Sequence, residues 1–185
     1  MITGIILAGG LSTRAGQNKL LLEVGGKPII LHTIEAMRPF VDKLIVVTGK
    51  YHDELNTILK DVEVVFNKNF KDGMFSSVRA GVAHAEGNFF VLPGDCPFVS
   101  KKTMSALLDC DDSFSIRVPA YNGRTGHPVY VNRKLRRHIL HEPPDSNLRI
   151  FRDEVGYEVI DVDDKNILND VDTIEDYEKL LKERK

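Results

Sequence analysis

The strongest constraint on this chain is a recurrent alternation in its sequence. Short apolar runs rich in Ile, Val, Leu and Phe are each followed by a longer amphipathic segment. Apolar runs bounded by turn residues read as strands, and strands alternating with amphipathic helices read as a mainly parallel sheet wrapped by helices. Strands are predicted over Thr3–Leu7, Lys43–Thr48, Glu63–Phe66, Asn88–Leu92, Ser115–Pro119, Pro128–Val131 and Glu158–Asp161. Helices are predicted over Ile29–Met37, Tyr51–Lys60, Ser76–Ala85, Lys101–Asp109, Arg133–Leu140 and Ile174–Lys185. The first four strands lack clean polar alternation, as strands covered on both faces do. Those near Ser115 and Pro128 are more polar and are expected to form a small, partly antiparallel insertion.

A length of 185 residues suits one domain with a real core. A formal net charge of −2 gives no global basic field for nucleic acid or an anionic membrane. The cluster Arg133-Lys-Leu-Arg136-Arg137 reads as a solvated helix face, without the aromatic interleaving that base stacking uses. No apolar run approaches the roughly 18 residues of a membrane span. The apolar N-terminus is read as a first strand, not a leader. Cys96 and Cys110 have no CxxC spacing, so a reducing cytoplasm is the expected compartment.

In open α/β sheets, ligands bind beyond the carboxyl ends of the strands. The loops after Leu7, Thr48, Phe66 and Leu92 are therefore the ones to read. The first runs Leu7-Ala-Gly-Gly-Leu-Ser-Thr-Arg14-Ala-Gly-Gln-Asn-Lys19. Gly9 and Gly10 let backbone amides approach a ligand, and successive amides in a turn make an anion-binding hollow. Two glycines alone also suit a plain strand-ending turn. Arg14, a guanidinium fork, and Lys19, a point charge, turn the reading towards phosphate. The loop is neither GxGxxG nor GxxxxGK[ST], so neither a dinucleotide site nor a P-loop is supported.

The pattern Leu7-Ala-Gly-Gly-x-Ser12-x-Arg14-x-Gly-x-x-Lys19 resembles the signature of nucleotidyltransferases with a three-layer, GT-A-type, Rossmann-like fold. The branch it resembles is the MobA/MocA-like one, whose members attach GMP or CMP to molybdopterin. Further segments fit in order: Gly25-Gly-Lys-Pro-Ile-Ile, Asn67-x5-Gly73-Met-Phe-Ser76-Ser77-Val-Arg79-x-Gly81, Pro93-Gly94-Asp95-Cys-Pro97, Gly126-His127-Pro128 and Asn169-Asp170-Val-Asp172-Thr173-x-Glu-Asp. The final segment has Ile174 where the family usually has Pro.

The resemblance implies roles. Leu7, Ala8, Gly9, Gly10, Ser12, Arg14, Lys19, Asn67, Ser76, Ser77 and Gly94 would bind the nucleotide, with Arg14, Lys19 and Asp95 catalytic. Asp95, stiffened by Pro93 and Pro97, and Asp172 would hold Mg²⁺, with Asp170 as substitute for Asp172. Gly126, His127, Asn147 and Arg149 would face the acceptor, His127 as a neutral donor that shapes the acceptor pocket or orients a site carboxylate. Competing structural readings accompany several of these. Asp172-Thr-Ile-Glu175 also looks like a helix capping box. Ser76 could cap the helix after it, and Arg79 could be either a phosphate contact or a surface charge.

The implied reaction is Mg²⁺-dependent transfer of NMP from a nucleoside triphosphate to a phosphate-bearing acceptor, with release of pyrophosphate. Molybdopterin is the favoured acceptor. The Ala-Gly-Gly loop leans to GTP, whereas the Pro-Gly-Asp and Gly-His-Pro elements lean to CTP, which is favoured. A molybdoenzyme or its chaperone is a possible protein partner. Two other readings stay open: a non-catalytic nucleotide- or cofactor-binding protein, and a transferase acting on a sugar phosphate or another small phosphate.

Overall fold

The computed structural model of the chain describes residues 1–10, 18–109, 114–143 and 146–183. In chain order its strands are β1 (Ile2–Ala8), β2 (Glu23–Val24), β3 (Lys27–Pro28), β4 (Lys43–Thr48), β5 (Glu63–Phe66), β6 (Asn88–Pro93), β7 (Ile116–Tyr121), β8 (Arg124–Thr125), β9 (Val129–Val131) and β10 (Glu158–Asp161). The α-helices are α1 (Ile29–Met37), α2 (His52–Ile58), α3 (Met74–His84), α4 (Lys101–Leu108), α5 (Arg136–His141), α6 (Leu148–Val155) and α7 (Ile174–Glu183).

One sheet has the order β10-β7-β9-β6-β1-β4-β5, with β8 paired to β7. The strands β5, β4, β1 and β6 run parallel, and β9 enters antiparallel between β6 and β7. The more polar strands thus extend the same sheet as its partly antiparallel end. Strands β2 and β3 form a separate hairpin around Gly25-Gly26.

The pleat sends successive side chains to opposite faces. Ile5 lies between Ile45 and Val91, and these three pack with Val78 and Val82 of α3, Ile139 of α5 and Phe151 of α6. Ile6 lies between Val46 and Leu92, which pack with Ile30 and Ile34 of α1, Leu55 of α2, and Met104 and Leu107 of α4. Two apolar faces explain why the central strands show no polar alternation. Helix α7 sits to one side, where Leu180 packs with Val24, Ile29 and Val171. Among the described residues no helix is long and apolar enough to cross a membrane.

Several expected boundaries move. The helix expected over residues 51–60 shortens to α2, and that expected over 133–140 divides into a 3₁₀ turn, Arg133–Leu135, followed by α5. Helix α3 starts at Met74, after Gly73, so Ser76 does not cap it; its hydroxyl donates instead to the Gly73 and Asn69 carbonyls. Helix α6 follows the polar segment that begins at Pro143, which reads as a loop opening a helix. The two short hairpins were not anticipated. In the basic cluster, Arg136 donates to the carbonyls of Val82 and Ala83 at the end of α3.

Asp164 anchors the segment that returns from β10 towards the sheet edge. Its carboxylate accepts from Ser100 N, Thr103 Oγ1 and Asn166 N at 2.7, 2.8 and 3.1 Å. Burial alone would lift this carboxyl, but the donated bonds outweigh it and hold it below the usual carboxylate range. Asp164→Ala is expected to lower unfolding free energy by about 2–4 kcal/mol, because it leaves sheltered donors unpaired. The stabilisation is complete above the ordinary aspartate pKa of about 3.9 and is lost as pH falls through the depressed folded value. Urea melts of both proteins at pH 7 and near pH 2.5 would read this; a deficit unchanged by acid contradicts it.

Candidate active site

Three strand ends converge on one edge of the sheet. Gly9-Gly10 follows β1, Asn67 follows β5, and Gly94-Asp95 follows β6. The Gly94 amide donates to Leu7 O at 2.9 Å and its carbonyl accepts from Thr33 Oγ1 at 2.8 Å, so Gly94 is a post behind the site. The C-terminal segment is stapled to the same edge by Val171 N donating to Asp95 O at 3.1 Å.

A cavity of about 310 Å³ opens here. Leu7, Ala8, Gly9, Gly10, Lys19 and Ser77 line it, with Asp95 and Asp172. Ser12 and Arg14 lie outside the described residues. Gly9 is required by close packing, since a Cβ there would stand 2.5 Å from Ser77 Oγ. Asn67 and Ser76 are buried and not part of the lining. The Asn67 amide donates to Ser76 Oγ (2.8 Å) and Ser77 Oγ (3.0 Å), while its oxygen accepts from Asn69 N. These residues brace Ser77 against the glycine turn instead of presenting donors to the cavity. Phe70, Lys71 and Met74 also line it, though the sequence reading passed over them. The only signal for them was their position inside the Asn67-to-Ser76 motif. Arg79 donates to Glu142 O at 3.2 Å and is not in the lining.

On the cavity wall, the Lys19 ammonium is shared by two carboxylates. It pairs with Asp95 Oδ2 and with Asp172 Oδ1, the latter at 2.8 Å. Lys19 and Asp95 are only 14% and 15% exposed, whereas Asp172 is 43% exposed. Burial works against the charge on Lys19, but the charges of Asp95 and Asp172 outweigh it and hold the ammonium above the usual lysine range. Burial lifts the Asp95 carboxyl, with Lys19 offsetting part of the rise.

The helix cap lies one residue beyond the expected one. Thr173 Oγ1 accepts from Asp176 N at 3.1 Å, and Asp176 Oδ2 accepts from Thr173 N at 2.9 Å. Thr173 and Asp176 form the reciprocal cap in place of Asp172 and Glu175. Asp170 is held differently, by the buried Cys96 thiol, which donates to its Oδ1 at 2.8 Å. Burial and the neighbouring carboxylates push that thiol well above the usual range. Cys110 lies outside the described residues.

A second cleft of about 530 Å³ lies beyond the acidic segment, lined by Gly126, His127, Arg149 and Asp170 among others. A Cβ on Gly126 would stand 2.2 Å from Ile167 O, so only glycine lets this loop pass. Burial lowers the His127 pKa against the pull of Asp170 and Asp95. Its Nδ1 is buried without a hydrogen-bond partner. Asn147 is outside the lining; its side-chain oxygen caps α6 by accepting from Arg149 N and Ile150 N, each at 3.0 Å. Arg149 is 82% exposed.

A glycine turn facing a lysine–carboxylate cluster, at the carboxyl edge of a Rossmann-like sheet, defines the nucleotidyltransferase class. The chain belongs to the family of the MobA-like NTP transferase domain, whose pattern matches residues 4–158. It is 26% identical over 177 residues to the molybdenum cofactor cytidylyltransferase of Escherichia coli, covering 94% of this chain and 92% of that one. It is 25% identical to a probable molybdenum cofactor guanylyltransferase of Natranaerobius thermophilus, covering 88% and 82%. A nicotine blue oxidoreductase of Paenarthrobacter nicotinovorans is 28% identical, covering 97% and 96%. Among solved structures, a nucleotidyl transferase from Methanothermobacter superposes with a TM-score of 0.86 at 26% identity, covering 99% and 97%. A Mycobacterium tuberculosis protein, Rv0371C, in complex with manganese, superposes at 0.82 with 23% identity, covering 98% of each chain.

The shifted cap separates two roles that the sequence left entangled. Thr173→Ala is expected to cost about 1 kcal/mol of stability and leave nucleotide binding within twofold. Asp172→Asn is expected to leave the melting temperature within about 2 °C and weaken metal-dependent nucleotide binding at least about tenfold. Thermal melts and nucleotide titrations on both variants would check this, and the reverse pattern would return Asp172 to a capping role.

Proposed function

We propose that the protein transfers the NMP part of a nucleoside triphosphate, CTP in preference to GTP, to the phosphate of a molybdopterin-type acceptor. The observation that carries this reading is Lys19 held by Asp95 and Asp172 across a cavity whose other wall is the Gly9-Gly10 turn. That arrangement places cationic and anionic groups where a triphosphate and a metal would each find a counter-charge.

Asp95 and Asp172 suit a small, hard divalent cation, Mg²⁺ in this reading. Both are oxygen donors, and one ammonium already touches both, so one cation is able to neutralise the pair. The ion would supply positive charge against the phosphate oxygens. Lys19 would turn from the carboxylates to the β,γ end of the triphosphate, and Arg14 would join it. The Gly9 and Gly10 amides would face phosphate oxygens, and Phe70 with Met74 would give the base an apolar wall. An acceptor phosphate oxygen would then form a bond to the α-phosphorus while the bond from the α-phosphorus to the bridging oxygen breaks and pyrophosphate departs. No general base is needed, because a phosphate monoester is already ionised near neutral pH. Catalysis by this route is positioning and charge neutralisation. A molybdoenzyme or its chaperone would receive the product.

The direct test mixes the protein with molybdopterin, Mg²⁺ and each of CTP, GTP, ATP and UTP, and reads product mass. A dinucleotide product with CTP is expected; no product with any triphosphate would sink the transferase reading. Asp95→Asn is expected to lower turnover by about 10²–10³-fold with the fold intact by circular dichroism. Near-normal turnover would remove Asp95 from the metal.

Lys19 and a cation compete for the same carboxylates. Without nucleotide, Lys19→Met is expected to bind Mn²⁺ at least about tenfold more tightly than the natural protein. Electron paramagnetic resonance of free Mn²⁺ would measure it, and equal affinities would show that the lysine does not guard the pair.

A further inference from the structure

The second cleft carries a charge pattern of its own. Among the described residues, three guanidinium side chains, Arg124 of β8 and Arg149 and Arg152 of α6, line it, with Asp170 as the one carboxylate in the lining. Two of the three stand in solvent: Arg124 is exposed and Arg149 is 82% exposed. Arg152 differs, with only 13% of its side chain exposed. Its guanidinium lies over the Tyr157 ring at 4.8 Å from the centroid. One terminal nitrogen donates to Thr125 Oγ1 at 3.3 Å, and Thr125 itself lines the cleft. Its Nε is buried and makes no hydrogen bond, with Asp153 Oδ1 3.4 Å away.

A sheltered guanidinium with donors left over is costly unless something completes its hydrogen bonds. Asp153 does so only in part, since its geometry gives an ion pair without a hydrogen bond and it is also shared with Arg149. The aromatic face and the threonine fix the plane of the fork without consuming it. A fixed guanidinium plane with free donors matches a phosphate or carboxylate, and the surrounding positive charge favours a doubly charged one.

We propose that Arg152 is the anion anchor of the second cleft and selects an acceptor bearing a dianionic phosphate monoester. This rests on the transferase reading for the identity of the acceptor, but the anchor itself rests only on the cleft. Arg124 and Arg149 act as exposed rim charges that draw the anion in, and Arg152 holds it. Thr125 is a positioning residue, orienting the Arg152 fork. His127 lines the same cleft.

The test uses the full chain and separates this proposal from the transferase reading. With ¹⁵N-arginine labelling, titration with inorganic phosphate is expected to shift the Arg152 Nε resonance, whatever the protein's turnover. No shift up to high millimolar phosphate, or an equal shift at every surface arginine, overturns the anchor. In turnover assays with molybdopterin, Arg152→Gln is expected to raise the acceptor KM by about ten- to a hundredfold, while the Kd for triphosphate stays within twofold. Arg152→Lys is expected to recover part of that loss. An acceptor KM unchanged in Arg152→Gln overturns the proposal even if the natural protein is an active transferase. If the natural protein has no turnover but phosphate shifts Arg152, the transferase reading fails and the anchor stands. Should Arg152→Gln not fold, Thr125→Val replaces it, with a smaller rise in acceptor KM and a weakened phosphate-induced shift expected. The absence of both overturns the orientation of the fork by Thr125.

Discussion

The sharing of one lysine by two carboxylates is the interaction on which the site depends. Asp95 and Asp172 are far apart in sequence, and like charges brought together beside a cavity repel one another. The Lys19 ammonium makes their meeting tolerable. It comes from the far end of the first loop, so that loop, the end of β6 and the C-terminal segment are bound to one point. The glycine turn gains its place by the same route, because Lys19 and Gly10 line a single cavity.

Backbone contacts make this cluster a fixture of the fold. Val171 N donates to Asp95 O, so the chain carrying Asp170 and Asp172 is hydrogen-bonded to the segment carrying the first carboxylate. Leu180 of α7 packs with Val24 and Ile29, and the Tyr177 hydroxyl donates to Glu23 O at 2.6 Å. These contacts press the last helix onto the hairpin after Lys19. The reciprocal cap at Thr173 and Asp176 sets where α7 begins, and so leaves Asp172 just outside the helix with its carboxylate turned to Lys19.

Much of this was legible in the sequence, for physical reasons. The central strands are buried on both faces, so their unbroken apolar runs declared a covered parallel sheet, and the ends of those strands named the loops to read. The features that escaped rest on local turn chemistry or on distant contacts. The Asn122-Gly123 pair has positive φ at both residues and joins β7 to β8, a strong hairpin signal that polar surroundings masked. Asp172 and Thr173 are both good capping residues, and choosing between them required knowing where Lys19 lies. Asn67 and Ser76 look like ligand donors because they are polar and near the site, yet they spend their hydrogen bonds on one another. No spacing could reveal that Cys96 would hold Asp170, or that Arg152 would lie over Tyr157, since each pairing is made by the fold.

The two cavities make sense together when the charges of the molecules they would hold are considered. A triphosphate and a phosphate monoester repel each other, and bringing the acceptor oxygen to the α-phosphorus in a sheltered site is costly unless each anion has its own counter-charge. The acidic segment divides the space: Asp172 lines the first cavity and Asp170 the second. On the first side the cations of the described lining are Lys19, paired with the acids, and Lys71; on the second they are the three arginines. Lys19 cancels one of the two charges on Asp95 and Asp172, and Asp170 accepts a hydrogen bond from the Cys96 thiol, so the acids keep negative charge that a bound cation would have to meet. In the proposed reaction a divalent cation on the central acids would release Lys19 to the triphosphate, and the arginines of the second cleft would face the acceptor, which is the charge order that an attack of one anion on another requires.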